Sequence, residues 1–342
     1  MKNLSKLTAL LSAAAMTLSL AACSGGNAAS TPAPVDTSTP TDTAAPSEGA
    51  TYTVGICQLV THDALDAATQ GFMDALNEAL PGQVVFDVQN AAGDSNTCST
   101  IVNSFVADGV DLILANATPA LQAATAATAD IPILGTSVTE YGVALNIQGF
   151  DGTVGGNVSG TSDLAPLDQQ AAMIYELFPD AETVGLIYCS AEANSQYQVD
   201  TVKAELEKLG YTCELYPFAD SNDAAAVTQT ACDASDVIYV PTDNTVASNT
   251  GIVDNICQPA GVPVVAGEEG ITKGCGVATL SISYYDLGVT TGKMAAQILT
   301  GEADISSMPI AYAENFTPKY NPVICEALGL TLPENYVAID ME

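Results

Sequence analysis

Residues Asp236–Ser248 read DVIYVPTDNTVAS, and this segment contains the pattern from which we predict the fold. Its apolar run Val237–Val240 ends at Pro241, and the polar residues Asp243 and Asn244 precede a predicted helix. A short apolar run bounded by turn residues is typical of a buried parallel strand. Open α/β sheets bind ligands at the carboxyl ends of such strands, although either polar residue could instead only cap the next helix.

The same pattern occurs a second time, earlier in the chain. Val110–Ala123, VDLILANATPALQA, is again an apolar strand followed by polar residues, among them Thr118, and by an alanine-rich helix. Two more pairs of segments resemble each other in the same order: Thr53–Cys57 with Thr183–Ile187, and Ile131–Gly135 with Val262–Gly267. Strands alternating with helices predict parallel sheets, and two similar halves predict two similar lobes with a cleft between them.

Length and charge narrow the class of protein. The 342 residues leave room for two domains. The chain carries 7 basic residues, all lysines, against 40 acidic residues, and its formal net charge is −33. We therefore expect no binding of nucleic acid and no electrostatic attachment to an anionic membrane.

The residues that catalysis and metal binding need are scarce. His62 is the single histidine, which excludes a His-rich metal site and any catalytic triad that does not use it. The sequence has no CxxC pair and no phosphate loop, and its acidic residues are scattered. We expect a protein that is not an enzyme and that uses no cofactor and no metal.

The N-terminal segment has the features of a targeting signal. In residues 1–23, Lys2 and Lys6 precede an apolar run, and the letters LAAC end at Cys23. This ending resembles a bacterial lipobox, in which the cysteine is lipidated; a plain secretory cleavage site is the alternative. Residues 24–50 are rich in Ser, Thr, Ala, Pro and Gly, so we expect a disordered tether. The prediction is a body held by a lipid anchor at the cell surface, on the outer face of the cytoplasmic membrane.

Eight cysteines remain once Cys23 is assigned to lipidation. An even number outside the cytoplasm permits disulfides, but several of these cysteines lie in apolar strands or helices, where cysteine is a small buried hydrophobe. We expect at most one or two disulfides, and the sequence assigns no pair.

Seven colinear segments carry a resemblance to a known family. The chain resembles the lipid-anchored substrate-binding proteins of ABC importers, and within them the subfamily of TrpX-like aromatic amino-acid binders. It departs from their pattern at Asp63, where proline is usual. The resemblance rests on these segments: Gln58–Asp66, Phe105–Ala120, Gly156–Leu164, Val184–Ser195, Val237–Ser248, Gly267–Gly270 and Tyr284–Leu299.

The resemblance implies a type I periplasmic-binding-protein fold, in which two Rossmann-like lobes with parallel sheets are joined by a three-strand hinge. We expect residues 51–158 and 284–310 in the first lobe, and residues 159–283 and 311–342 in the second. The implied function is capture of a small molecule, foremost an apolar or aromatic amino acid, by hinge closure. The implied partners are ABC permease subunits, and we expect a monomer.

Candidate ligand contacts follow from the chemistry of a free amino acid. Because arginine is absent, the carboxylate would meet hydroxyls and backbone N–H groups, for which Thr118 and Ser137 are suited. The ammonium would need a carboxylate, from Asp243, Glu268 or Asp163. Each of these residues could instead cap a helix or lie at the surface. The full candidate set is His62, Thr118, Thr136, Ser137, Asp163, Ser190, Asn194, Asp243, Asn244 and Glu268.

Two other functions stay open at this point. The same lobes could report ligand binding to a membrane sensor, and the sequence does not separate sensing from transport. A nucleoside could replace the amino acid as ligand. A sugar is less favoured, because the chain has no tryptophan to stack on a pyranose face.

Overall fold

The computed structural model describes residues 51–341, and its secondary structure forms two sheets. The first sheet has six parallel strands in the order β2-β1-β3-β4-β5-β11. These strands are β1 (Tyr52–Gln58), β2 (Val84–Asn90), β3 (Leu112–Asn116), β4 (Ile133–Val138), β5 (Val158–Ser162) and β11 (Ala311–Tyr312).

The second sheet has seven strands in the order β7-β6-β8-β9-β10-β12-β13. Strand β12 runs antiparallel to β10, and the other pairs are parallel. The strands are β6 (Thr183–Cys189), β7 (Thr212–Phe218), β8 (Val237–Val240), β9 (Val264–Ala266), β10 (Ala278–Ser281), β12 (Thr317–Tyr320) and β13 (Val337–Ala338).

Twelve α-helices connect these strands in the described part of the chain, and a short 3₁₀ helix lies at Ile305–Ser307. Within residues 51–341, no helix is both long enough and apolar enough to cross a membrane. The helices are α1 (Asp63–Ala79), α2 (Ser95–Asp108), α3 (Thr118–Ala127), α4 (Tyr141–Ala144), α5 (Leu167–Leu177), α6 (Ala193–Lys208), α7 (Ser221–Cys232), α8 (Asn244–Ala247), α9 (Thr250–Ala260), α10 (Glu269–Cys275), α11 (Tyr284–Leu299) and α12 (Pro322–Ala327).

The two sheets repeat one topology. The first five strands of each half have the same spatial order, with the second strand at the edge and the first strand beside the third. The duplication predicted from the sequence is therefore confirmed, as is the α/β class with parallel sheets. All four residues of β8 are buried, as the apolar run beginning at Val237 predicts, and β3 occupies the equivalent position in the first sheet.

The chain passes between the sheets three times. After β5 it continues into α5, which packs on α6 and β10 of the second lobe. After β10 it returns through α11, and after β11 it passes to β12. Strand β5 stays in the first sheet to Ser162, and β11 pairs with it, although the expected division put both segments in the second lobe. The division into lobes stays a prediction. If lobes are assigned by sheet, both β5 and β11 belong to the first lobe.

Helix α11 is held on the first lobe by close packing against α1. A Cβ added at Gly288 would lie 2.0 Å from the carbonyl oxygen of Ala68, and one at Gly71 would lie 2.1 Å from that of Tyr285. The two backbones therefore approach more closely than larger residues would allow. This contact fixes the start of α11, at Tyr284, near the passage between the lobes.

Candidate functional site

The carboxyl ends of the two sheets face each other and touch. His62, directly before α1, places its Nε2 3.3 Å from the Oδ1 atom of Asn244, the first residue of α8. Burial lowers the pKa of the His62 imidazole. A cavity of about 220 Å³ lies beside this contact. Both lobes line it, the first with Leu59, Val60 and Pro119, and the second with Cys189, Glu192 and Thr245.

The strand ends of the first lobe have an unusual backbone. Ala117, after β3, has a φ of 92°, and Ser137, near the end of β4, has a φ of 53°. A positive φ in a residue other than glycine costs on the order of 1–3 kcal/mol and tends to occur where function requires it. The Ser137 Oγ atom is buried and has no hydrogen-bond partner among residues 51–341. This hydroxyl is therefore available to a ligand.

Two threonines of the first lobe have different surroundings. Thr118 is buried as the first residue of α3, a helix whose N-cap residue provides no capping side chain. Thr136 lies deeper, where its Oγ1 is 3.1 Å from Thr161 Oγ1 and 3.3 Å from Thr291 Oγ1. Thr118 therefore stands at an open helix N-terminus, whereas the Thr136 hydroxyl is engaged inside its own lobe.

The carboxylates at the strand ends of the second lobe are satisfied by their own backbone. The two oxygens of Asp243 accept the N–H groups of Cys189, at 2.7 Å, and Val246, at 2.9 Å. Burial, and then the charge of Glu192, raises the pKa of Asp243 to about 7. Asp243 therefore caps α8, which is the alternative role that we considered for it from the sequence.

Glu268 has the same kind of surroundings at the next strand end. Its two oxygens accept the N–H groups of Gly270 and Ile271, so that it caps α10. Burial raises its pKa to about 7. Neither Asp243 nor Glu268 therefore offers an oxygen that lacks a donor from its own chain.

Glu192, which was missing from the sequence-based candidates, organises the second-lobe side of the contact. Its carboxylate accepts hydrogen bonds from the backbone N–H and side-chain amide of Asn244, at 3.0 and 2.7 Å. It also accepts from the backbone N–H and hydroxyl of Thr245, at 2.9 and 2.8 Å. Glu192 therefore orients the Asn244 amide toward His62. Its place directly before α6 was the sequence signal that could have identified it.

Asp163 lies where the chain leaves the first sheet. One of its oxygens accepts a 3.0 Å hydrogen bond from the Tyr284 hydroxyl, while Oδ1 is buried without a hydrogen-bond partner in the described chain. Burial raises the pKa of Asp163, against the opposing effect of the nearby hydroxyls of Tyr284 and Thr139. Tyr284 was not among the predicted site residues, because its contact with Asp163 depends on the return of α11 to the first lobe.

Two candidates that follow β6 differ in exposure. Ser190 is exposed, and its hydroxyl donates to the Phe218 carbonyl at 3.0 Å. Asn194 is buried and donates to the Thr242 carbonyl at 3.0 Å, and its Oδ1 has no partner within residues 51–341. Of these two, Asn194 is the one that offers a buried polar atom to a ligand.

Buried polar atoms without partners recur among the candidate residues. They are His62 Nδ1, Ser137 Oγ, Asp163 Oδ1 and Asn194 Oδ1. Each such atom costs about 1–3 kcal/mol when it stays unpaired, and a bound molecule would remove that cost. The set combines a hydroxyl that can donate to an anion with a carboxylate that can accept from a cation. This combination suits a small zwitterion.

Comparison with known proteins gives a family match. A family model described as ABC transporter substrate binding protein matches residues 53–341. A tyrosine-binding protein of Clostridioides difficile strain R20291 is 36% identical over 260 residues, which are 75% of each chain. An uncharacterized protein of Rickettsia prowazekii is 22% identical over 264 residues, 77% of this chain and 81% of that protein.

Solved structures give the same result. The ABC domain of Streptococcus pneumoniae in complex with L-Trp is 35% identical with a TM-score of 0.79, over 83% of this chain and 97% of that one. A ligand-free, open substrate-binding protein with adhesive properties from Clostridium difficile is 38% identical, over 85% and 100% of the chains, but its TM-score is 0.65. The lobes described here are thus arranged more like the L-Trp complex, in agreement with the contact between His62 and Asn244. The predicted type I periplasmic-binding-protein fold is confirmed.

Proposed function

The chain belongs to the ABC transporter substrate binding protein family, and on this basis we propose that it captures an aromatic L-amino acid between its lobes. The predicted role as the substrate-binding component of an ABC transporter is confirmed by the family match. The choice of ligand is supported by the relatives, one of which binds tyrosine and another of which was crystallised with L-Trp.

The observation that carries the proposal is the pair of unpartnered buried atoms on Ser137 and Asp163. The ligand ammonium would take Asp163 Oδ1, because both oxygens of Asp243 and of Glu268 already accept backbone N–H groups. The ligand carboxylate would take the Ser137 hydroxyl together with the open N-terminus of α3. Each end of a zwitterion then meets a group of complementary charge.

Ligand capture would proceed by a shift between open and closed lobe arrangements. A molecule that contacts both lobes binds the closed form more tightly and raises its population. The hydrogen bond between His62 and Asn244 would form only in that closed form, because the two residues belong to different lobes. The closed form is the one that we propose docks on the permease.

Isothermal titration calorimetry on the purified chain tests the proposal. L-tyrosine, L-tryptophan and L-phenylalanine should bind. Tyramine, which lacks the carboxylate, and 3-(4-hydroxyphenyl)propionate, which lacks the ammonium, should each bind at least about tenfold more weakly than L-tyrosine. Tighter binding of a nucleoside or a sugar, or no binding by the three amino acids, would reject the proposed ligand class.

Substrate-binding proteins of ABC importers act outside the cytoplasm, and we propose that lipidation of Cys23 anchors this chain to the membrane. The support is the sequence pattern of residues 1–23, which lie outside the described part of the chain, as does the expected tether of residues 24–50. Cells given a palmitate analogue should label the wild-type chain but not a Cys23→Ser variant. Equal labelling of the two would contradict the anchor.

We also propose that the chain is a monomer. Light scattering should then give the mass of one chain.

A further inference from the structure

Two thiols of the second lobe lie in contact. Cys232 is the last residue of α7, Cys257 lies in α9, and their Sγ atoms are 2.8 Å apart. In a disulfide the two sulfur atoms are about 2.05 Å apart, so this pair would need to approach by less than about 1 Å. The two helices already pack on each other in the fold. The geometry therefore places two oxidisable groups within bonding reach.

Three of the other six buried cysteines in the described chain bond to the backbone instead. The thiols of Cys189, Cys275 and Cys325 each donate to a backbone carbonyl. These cysteines behave as small buried hydrophobes with a weak donor, which needs no second cysteine. Burial of a cysteine in this chain therefore does not by itself imply contact with a second thiol.

A second thiol pair, in the first lobe, provides an internal comparison. Cys57 and Cys98 form a side-chain hydrogen bond, and both have a relative exposure of 0%. Cys232 has a relative exposure of 6%. Thiol–disulfide exchange needs access by the oxidant, so the second-lobe pair is better placed to react.

We propose that Cys232 and Cys257 are a redox site, which a disulfide oxidant outside the cytoplasm converts to an intramolecular disulfide. The Cys232 thiolate attacks one sulfur of the oxidant's disulfide, so that a mixed disulfide forms and one oxidant thiol leaves. Cys257 then loses its proton and attacks Cys232 Sγ, which releases the second oxidant thiol. Two protein S–H groups become one S–S bond, while the oxidant's S–S bond is reduced to two thiols.

The hydrogen bond between the two thiols favours this order of events. It lowers the pKa of Cys232 and raises that of Cys257, so Cys232 is the thiol that ionises first. The segment closed by the bond contains β8 and the α8 residues Asn244 and Thr245, which Glu192 holds. The disulfide would therefore secure the second-lobe strand end without using any of the proposed ligand contacts, so the proposal stands independently of which ligand binds.

The test uses the full chain, first reduced and then incubated with oxidised glutathione. Remaining thiols are alkylated in denaturant, and the digest is analysed by mass spectrometry. We expect a linked peptide pair containing Cys232 and Cys257, lighter by two hydrogen atoms, and alkylation of the other six of the eight described cysteines. Because the pair is buried, a second sample is refolded from urea in mixed oxidised and reduced glutathione, where access is not limiting, and the same bond is expected.

Matched variants separate this bond from unspecific oxidation. Cys325→Ser removes a buried cysteine whose thiol donates to a backbone carbonyl, and it should leave the linked peptides unchanged. Oxidation should raise the urea midpoint of the wild type, because a cross-link restricts the unfolded chain. Cys232→Ser should leave Cys257 fully alkylated and should show no such rise. The proposal is overturned if all eight cysteines are alkylated in both wild-type samples, or if Cys57 and Cys98 are the pair that links. A linked Cys257 in the Cys232→Ser variant would also overturn it.

Discussion

The two lobes share one strand order, but the ends of their central strands are chemically unlike. In the first lobe, Ala117 and Ser137 have positive φ angles, and the Ser137 hydroxyl has no partner in the described chain. In the second lobe, each carboxylate oxygen of Asp243 and Glu268 accepts an N–H group of its own backbone. The difference shows that duplicating a fold does not duplicate its chemistry. The ends of β3 and β4 carry a strained backbone and an unpartnered hydroxyl, whereas the ends of β8 and β9 are followed by carboxylates that cap the next helix.

The helices that follow the equivalent strands β3 and β8 also differ at their N-termini. Helices α8 and α10 of the second lobe are capped by Asp243 and Glu268, so their positive dipole ends are occupied. Helix α3 of the first lobe begins at Thr118 without a capping side chain from its N-cap residue. An anionic group of a ligand would therefore be drawn to the first lobe.

The largest expected effect is on the stability of the second lobe. Glu192→Ala leaves the N–H groups of Asn244 and Thr245 without their acceptor, and we expect a loss of about 3 kcal/mol in the free energy of unfolding. Urea denaturation measures this loss. The exposed Glu302→Ala control should stay within about 0.5 kcal/mol of the wild type. Equal stabilities for wild type and Glu192→Ala would show that the network around Glu192 is not structural.

The next effect is on ligand affinity. Asp163→Asn removes the charge proposed to meet the ligand ammonium, and we expect a loss of about 2 kcal/mol, or roughly 30-fold, in the affinity for L-tyrosine. Calorimetry measures it, with the exposed Asp130→Asn variant as control.

The pH dependence of binding supplies a second readout for Asp163. Its pKa is raised by burial, so wild-type affinity should increase with pH as the carboxylate ionises. The Asp163→Asn variant should lose this pH dependence. If Asp163→Asn binds L-tyrosine as tightly as the wild type does, the ligand ammonium is bound by another acidic residue.

The pH dependence of stability tests the second-lobe carboxylates. With a pKa of about 7, native Asp243 keeps a proton that the unfolded chain loses near pH 3.8. Stability should therefore fall as pH rises between those values, by at most about 1.4 kcal/mol per pH unit for this group. Urea midpoints between pH 5 and 7 should vary less steeply in Asp243→Asn. An unchanged slope in the variant would mean that Asp243 is already ionised at pH 5.

His62 affects stability in the opposite direction. Because burial lowers its pKa, the unfolded chain binds a proton that the native state does not, and stability falls as pH falls through about 6.5.

The smallest expected effect concerns the open strand end of the first lobe. Ser137→Ala removes an unpartnered hydroxyl, so the free energy of unfolding without ligand should stay the same or rise slightly. The affinity for L-tyrosine should fall by about 1 kcal/mol, roughly fivefold. Thr136→Ala is the matched control, because that hydroxyl bonds inside its own lobe: stability should fall and affinity should be kept. The reverse pattern would contradict the division between the lobes.

Much of the fold could be predicted from local patterns. The apolar run beginning at Val237 became the buried strand β8, and its counterpart in the first half became β3, because hydrophobic runs and turn residues act locally. His62 and Asn244, which were both predicted as site residues, do meet across the lobes. Their contact could be anticipated only because the carboxyl ends of parallel strands gather at one edge of a sheet.

The roles of the acidic residues could not be predicted in the same way. A carboxylate at a strand end can cap a helix or bind a ligand, and Asp243 and Asp163 look alike in sequence. Their difference lies in hydrogen bonds that form only after folding: each oxygen of Asp243 accepts a backbone N–H, whereas Oδ1 of Asp163 has no such partner in the described chain. Glu192 and Tyr284 were missed for the same reason, because their partners lie far away along the chain.

A crystal structure of the chain grown with L-tyrosine would test the division between the lobes most directly. We expect the ligand between the lobes, with its ammonium within hydrogen-bond distance of Asp163 Oδ1 and its carboxylate at Ser137 Oγ and the start of α3. Asp243 and Glu268 should keep their backbone partners. A ligand whose ammonium displaces those backbone bonds, while Ser137 and Asp163 stay unpaired, would contradict it.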